Sequence, residues 1–239
     1  RGKGERGVKP PFPALGAIID LDGTLLDTVA DLAAGINAML DEFGRDELSI
    51  ERVAAYVGKG TEVLVHRALT GRLDGRAEPA LAEKGVEVFY RHYARENGRQ
   101  ARVYPGVREG LAAMRERGLR LACVTNKPQV FSDALLQRTG LADSFEIVVG
   151  GDALSRRKPD PLPMLHACDR LGIAPRQMLA IGDSVNDAAA ARAAGIPVLV
   201  VPYGYNEGRP AESIDADGIV SSLAEVSDWL AEPDAQRDS

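Results

Sequence analysis

Four short segments of this 239-residue chain carry residue types that can do chemistry together. The first is Asp20-Leu21-Asp22-Gly23-Thr24-Leu25, with Asp27-Thr28 just behind it. Two carboxylates two residues apart reach one pocket if a strand has ended and the chain turns. Gly23 permits that turn and brings backbone N–H groups near an anion. The others are Thr125-Asn126-Lys127, Lys158-Pro159 and Gly182-Asp183-Ser184-Val185-Asn186-Asp187. Each is weak taken singly, since a carboxylate at a strand end is more often a helix cap than a nucleophile. Together they offer an acid pair, a hydroxyl, a lysine and a further acid pair, each at the end of an apolar run, and coincidence explains that order poorly.

The scaffold must bring these ends to one edge. Residues 14–20 read as a buried strand, with Leu15, Ala17, Ile18 and Ile19 in one run before the acids. Similar runs cover 119–125, 145–150, 178–182 and 196–201. Amphipathic stretches at 107–117, 129–139, 161–171 and 187–194 separate them, and Gly118, Gly140, Gly172 and Gly195 sit where helices should stop. Alternating strand and helix predicts an α/β, doubly wound, Rossmann-like parallel sheet, which binds ligands at the carboxyl ends of its strands. A strand at 218–220 and a helix at 222–230 are expected to close it.

Residues 26–102 show no clear strand. Val29, Leu32, Ile36, Met39, Leu40 and Phe43 recur at helical spacing up to Gly44. Ser49 can cap a short helix to Val57, Gly58-Lys59-Gly60 breaks it, and Thr61 can cap another carrying Leu64, Val65, Ala68 and Leu69. A last helix is expected over 79–97 with Ala82, Val86, Phe89 and Tyr93 inward, although Gly85 counts against it. The expected organisation is a core of 14–26 and 103–231 with an inserted α-helical domain at 27–102, and disordered tails at 1–13 and 232–239.

A net charge of -6 offers no broad basic surface, so neither nucleic acid nor membrane is expected as a partner. No stretch is apolar for long enough to span a bilayer, and the basic start lacks the apolar segment of a secretory signal. Cys123 and Cys168 belong to no CxxC pair and read as reduced core residues of a cytoplasmic protein. His66, His92 and His166 form no ligand pair for zinc.

The four segments resemble the four motifs of the haloacid dehalogenase superfamily of phosphohydrolases, matched by residues 20–27, Thr125-Asn126, Lys158-Pro159 and residues 182–187. The likeness runs from Leu15 to Trp229, and the helical insert is similar to that superfamily's small helical cap. Within it the chain most resembles the phosphoglycolate phosphatase subfamily. Tyr56-Val57-Gly58-Lys59-Gly60, Val63-Leu64-Val65, Arg67-Ala68-Leu69, Val103-Tyr104-Pro105-Gly106-Val107, Lys158-Pro159-Asp160-Pro161-Leu162 and Tyr203-Gly204-Tyr205-Asn206 carry that likeness. Lys59 departs from it, because Asn is frequent between the two cap glycines. The departure bears on substrate choice rather than on the reaction.

The resemblance implies a magnesium-dependent phosphatase that hydrolyses 2-phosphoglycolate to glycolate and phosphate through an aspartyl-phosphate on Asp20. It implies Mg2+ ligands at the Asp20 carboxylate, the Asp22 backbone carbonyl and the Asp183 carboxylate. Asp22 is expected as general acid and base. Lys158 would neutralise the nucleophile, while Thr125, the Asn126 backbone and the N–H groups up to Thr24 hold phosphoryl oxygens. Asp187 is expected to orient Lys158 or a metal-bound water, or else to cap the next helix. The substrate carboxylate is expected to meet the loop of Gly58, Lys59 and Gly60, through backbone amides or the Lys59 ammonium; for Lys59 a solvated loop position is the plainer reading. Arg156 and Arg157 are expected to face water. The expected assembly is a monomer or homodimer. Rival readings are a phosphatase for a sugar phosphate or pyrophosphate, a mutase, and, from a different class, a phosphoryl-accepting signalling domain, against which the helical insert argues.

Overall fold

In the computed structural model, which describes residues 10–232, the chain runs β1 (Gly16–Ile19), β2 (Leu26–Asp27), α1 (Val29–Glu42), α2 (Ile50–Ala54), α3 (Thr61–Thr70), α4 (Pro79–Glu96), β3 (Arg102–Val103), α5 (Val107–Glu116), β4 (Arg120–Val124), α6 (Gln129–Arg138), β5 (Ile147–Val149), α7 (Leu162–Leu171), β6 (Met178–Gly182), α8 (Val185–Ala194), β7 (Val198–Val200) and β8 (Gly218–Ile219). A six-stranded sheet has the order β5-β4-β1-β6-β7-β8, and its neighbours pair in parallel.

Side-chain alternation explains why these strands read as unbroken apolar runs. Ala17 and Ile19 of β1, Leu121 and Cys123 of β4, and Leu179 and Ile181 of β6 join one core, with α5 and α6 over it. Ile18, Ala122, Val124, Met178 and Ala180 point the other way into a second core, with α7 and α8 over it. Helices on both faces of a parallel sheet make the doubly wound α/β fold. The register pairs Ile19 with Cys123 and with Ile181, so the residues that follow these strands leave the sheet at one level. The helix stops at Gly118, Gly140, Gly172 and Gly195 all have positive φ.

The four helices α1 to α4 pack on a third core of Leu32, Ile36, Met39, Tyr56, Val65, Phe89 and neighbours. Gly85 does not interrupt α4. A Cβ there would stand 2.8 Å from Val65 Cγ1, so its bareness lets α3 and α4 approach. The insert leaves and rejoins the sheet domain through an antiparallel ribbon in which Leu26 pairs with Val103 and Asp27 with Arg102. Two-residue strands carry no periodicity, which is why none was expected between 26 and 102. Asp31 is fully buried in α1, and its carboxylate accepts from the N–H groups of Gly98, Gln100 and Ala101 at 2.8, 2.8 and 3.2 Å, tying the start of the insert to its end.

Three expectations need correction. Thr61 is not the cap of α3; Gly60 holds that position with φ 85°. The expected helix at 222–230 is a 3-10 segment, Leu223–Trp229. The expected N-terminal tail is ordered at its end: Phe12 is 1% exposed, stacks on Trp229 at 6.4 Å, and exchanges backbone hydrogen bonds with Trp229 and Ala231. Residues 1–9 and 233–239 of the expected tails lie outside the described residues. No helix among the described residues is long and apolar enough to cross a membrane.

Candidate active site

Asp20 follows β1 and is anchored from β6. Its N–H donates to the Ile181 carbonyl at 3.0 Å. Its Oδ1 accepts from Leu21 N at 2.7 Å and pairs with Lys158 Nζ at 2.9 Å. The Lys158 ammonium also donates to the Val124 carbonyl at 2.7 Å and to Asp187 Oδ1 at 2.6 Å, so all three of its N–H groups have acceptors. Burial works to lower the Lys158 pKa, but Asp187 and Asp20 outweigh it and hold the ammonium above the ordinary lysine range.

Asp187 serves two purposes at once. Its Oδ1 holds Lys158, while its Oδ2 accepts from the Ser184 N–H at 3.1 Å and hydroxyl at 2.7 Å, closing a capping box on α8. Asp183 lies beside it, its Oδ2 accepting from Tyr205 N at 2.5 Å and its Oδ1 from the Thr24 hydroxyl at 3.2 Å. Room for this carboxylate comes from missing side chains: a Cβ on Gly23 would stand 2.4 Å from Asp183 Oδ2, and one on Gly204 would stand 2.3 Å from it.

One oxygen each of Asp20, Asp183 and Asp187 lie within 4.8 Å of one another. Three carboxylates face the single Lys158 ammonium here, an excess of negative charge that burial makes expensive. Burial, with Asp187 and Asp20 adding, raises the Asp183 carboxyl well above its usual range. Burial likewise raises Asp20 to about 7, against the opposing pull of Lys158. Oxygen donors with uncompensated charge fit a hard divalent cation. Asp187 is committed to Lys158 and, with two donors on Oδ2, to the cap of α8, whereas each Asp183 oxygen accepts a single hydrogen bond and the contacts of Asp20 fall on Oδ1, so Asp20 and Asp183 keep lone pairs for it.

Asp22 points toward the helical insert. Its Oδ1 accepts from the Thr28 hydroxyl at 2.7 Å, and Lys127 Nζ stands 3.1 and 3.2 Å from its two oxygens. Lys127 also lies 4.8 Å above the Tyr93 ring. Burial works to lower its pKa, and Asp22 and Tyr93 reverse the sign, so the ammonium stays protonated.

A small cavity of about 40 Å³ opens between sheet and insert. Asp20, Asp22, Thr125, Asn126 and Lys127 line its floor, and Leu32, Val57, Leu64, Phe89 and Tyr93 its roof, with Gly58 and Gly60 at the edge. Thr125 Oγ1 accepts from Lys127 N at 3.2 Å. The Asn126 side-chain nitrogen is turned to the backbone around it. This Nδ2 donates to the carbonyls of Gly58 and Lys158 at 3.0 and 2.9 Å, and Asn186 Nδ2 joins it on Gly58 at 3.2 Å, clasping the loop of the insert.

Two side chains beside the expected anion contacts are turned elsewhere. The Thr24 hydroxyl is spent on Asp183, so only its backbone remains for an anion. The Lys59 ammonium is 2.6 Å from Glu207, outside the cavity, because Glu207 gathers Lys59, Arg67 and Arg209. Burial raises the Glu207 carboxyl, but hydrogen bonds from those three cations outweigh it and hold it at about 2. Arg156 and Arg157 form ion pairs with Asp160 and Glu62 on the exterior.

Sequence reasoning assigned no role to Thr28, Lys127 or Tyr205. The Tyr205 hydroxyl accepts from Thr28 N and Val29 N at 3.0 and 3.1 Å and donates to Asp27 Oδ1 at 2.5 Å, capping α1 from the sheet domain. The segment Tyr203-Gly204-Tyr205-Asn206 stood out in the sequence, but nothing there showed that it reaches back to Asp27.

The sequence model for haloacid dehalogenase-like hydrolases matches residues 16–195. The phosphoglycolate phosphatase of Nitrosospira multiformis is 53% identical over 216 residues, covering 90% of this chain and 95% of that protein. The plasmid-borne phosphoglycolate phosphatase of Cupriavidus necator is 47% identical over 214 residues, covering 89% and 91%. A crystal structure of a predicted phosphoglycolate phosphatase from Haemophilus somnus superposes with a TM-score of 0.84 at 32% identity, covering 90% of this chain and 97% of that one. A matched core from β1 to the end of α8, relatives alike over nearly their whole length and a shared three-dimensional fold place this chain in the haloacid dehalogenase-like hydrolase family.

Proposed function

We propose that this protein is a Mg2+-dependent phosphatase that hydrolyses 2-phosphoglycolate to glycolate and phosphate through an aspartyl-phosphate on Asp20. The observation that carries the reading is that Asp20 and Asp22 front one small cavity while Lys158 sits on Asp20. The relatives that bear the phosphoglycolate phosphatase name over nearly their full length support the choice of substrate.

In this reading the Asp20 carboxylate attacks phosphorus, and the glycolate oxygen leaves with a proton from Asp22. Water then attacks the acyl phosphate, Asp22 takes its proton, and phosphate departs with Asp20 restored. Lys158, Thr125 and the backbone N–H groups of 21–24 and Asn126 meet the charge spread over the phosphoryl oxygens. Asp20, Asp183 and the Asp22 carbonyl hold Mg2+, whose charge offsets the excess of carboxylates and polarises a phosphoryl oxygen. Residues 27–102 act as a cap over a core of 14–26 and 103–231, excluding water from the acyl phosphate. The free buried thiols Cys123 and Cys168 suit a reducing, cytoplasmic setting.

A panel of small phosphate esters assayed with Mg2+ tests the reading. Phosphoglycolate should lead in kcat/KM; a hexose phosphate or pyrophosphate in first place overturns the substrate while leaving the reaction intact.

A further inference from the structure

We propose that Lys127 is the specificity-determining cation that receives the carboxylate of the substrate. The inference rests on the substrate reading above and names the residue responsible. In phosphoglycolate a single methylene separates the ester oxygen from the carboxylate. The group that binds the carboxylate must therefore stand beside the group that protonates that oxygen. Lys127 Nζ lies 3.1 Å from Asp22 Oδ1.

The other cations near the site are committed. Lys158 has three acceptors in Asp20, Asp187 and the Val124 carbonyl. Lys59 and Arg67 are bound to Glu207, and Arg157 to Glu62. Among the described residues that line the cavity, Lys127 is the one cation.

Its own partners leave capacity. Two approaches are to Asp22, and the remaining side of the ammonium faces the Tyr93 ring. A ring face is a weaker partner for an ammonium than a carboxylate is. The roof of Leu32, Val57, Leu64, Phe89 and Tyr93 is apolar, and the neutral polar groups at its edge are Thr61 and the backbone of Gly58 and Gly60, which carry no charge to match an anion. A charge pair formed there is poorly screened, and an ester without the carboxylate leaves the ammonium as it was. The cavity thereby selects for an anionic group next to the phosphoester.

The test compares phosphoglycolate with 2-hydroxyethyl phosphate, an ester of similar size without the second anion, in the wild type and in Lys127→Met. The ratio of their kcat/KM values should fall about 100-fold in the variant, mainly through KM for phosphoglycolate. Lys127→Gln keeps a hydrogen-bond donor without the charge and gives the same readout if the methionine variant does not fold. Parallel losses on both esters, with the ratio preserved, mean that Lys127 only holds Asp22 and overturn the inference alone. A wild type without preference between the two esters overturns the substrate reading and this inference with it.

Discussion

Thr28 and Asp22 are joined by a 2.7 Å hydrogen bond from the threonine hydroxyl to Asp22 Oδ1. Thr28 is also the residue that precedes α1, the first helix of the insert. A threonine there would ordinarily cap the helix with its hydroxyl. Here the hydroxyl is diverted to the carboxylate, and the Tyr205 hydroxyl accepts the N–H groups of Thr28 and Val29 instead. One residue therefore links the entry of the insert to the proposed acid. Thr28→Val, which keeps the shape and removes the hydroxyl, should lower kcat about 10-fold, while Thr28→Ser should restore most of it. Equal kcat in valine and serine variants would remove the hydroxyl from the mechanism.

The two acids of the first motif should separate by role. Asp20→Asn should abolish phosphate release, because an amide does not form the acyl phosphate. Asp22→Asn should still bind orthophosphate with Mg2+ while turnover falls by roughly 10²–10⁴-fold, the usual range for a general acid and base. Steady-state phosphate release and calorimetric phosphate binding measure the two effects.

Asp20 makes metal-free stability depend on pH. Burial lifts its carboxyl from 3.8 to about 7, with Lys158 opposing. A carboxyl raised on folding favours the folded state below its unfolded value, and that contribution fades as pH rises through the folded one. Thermal melts in chelator should therefore lose stability between about pH 4 and pH 7. Saturating Mg2+ should recover stability at pH 8 far more than at pH 5, since the cation competes with the proton. Asp20→Asn should lessen the slope, with the raised Asp183 carboxyl supplying part of what remains; a metal-free slope identical in wild type and variant removes Asp20 as a source.

The buried Asp31 carboxylate receives three backbone N–H groups from 98–101. Asp31→Ala leaves those donors without acceptors and should cost about 2–4 kcal/mol of unfolding free energy. Urea denaturation followed by circular dichroism measures it, and a loss below about 0.5 kcal/mol would mean that water takes over the bonds.

The strand ends were legible because burial on both faces of the sheet leaves a signature in β1, β4 and β6 that stops abruptly at Asp20, Thr125 and Asp183. For Asp187 the sequence offered orientation of Lys158 or a metal-bound water and a helix cap as alternatives, and its two oxygens contact Lys158 and the N-cap of α8 at once. What escaped depends on contacts between distant residues. The sequence reads Lys59 as a solvated loop lysine, with contact to the substrate carboxylate as the alternative, and its pairing with Glu207, far along the chain, is in neither reading. Thr24 was expected to offer its backbone N–H to an anion, and the support its hydroxyl gives Asp183 was not foreseen. Lys127 was visible beside Thr125 and Asn126, yet its nearness to Asp22 arises only from the level ending of β1 and β4. Phe12 sits in a stretch rich in glycine, proline and charge, and its stacking on Trp229 and backbone bonds to Trp229 and Ala231 are long-range contacts that the local sequence does not show.

Tyr205 belongs by sequence to the segment after β7, yet its ring is part of the interior shared by α1 to α4. The insert is thus not a self-sufficient module. Excised at the ribbon of 26–27 and 102–103, it would carry a vacancy where that ring had been. Exchange of such caps between relatives has to move the Tyr205 loop along with the helices, or the chimera inherits a hole.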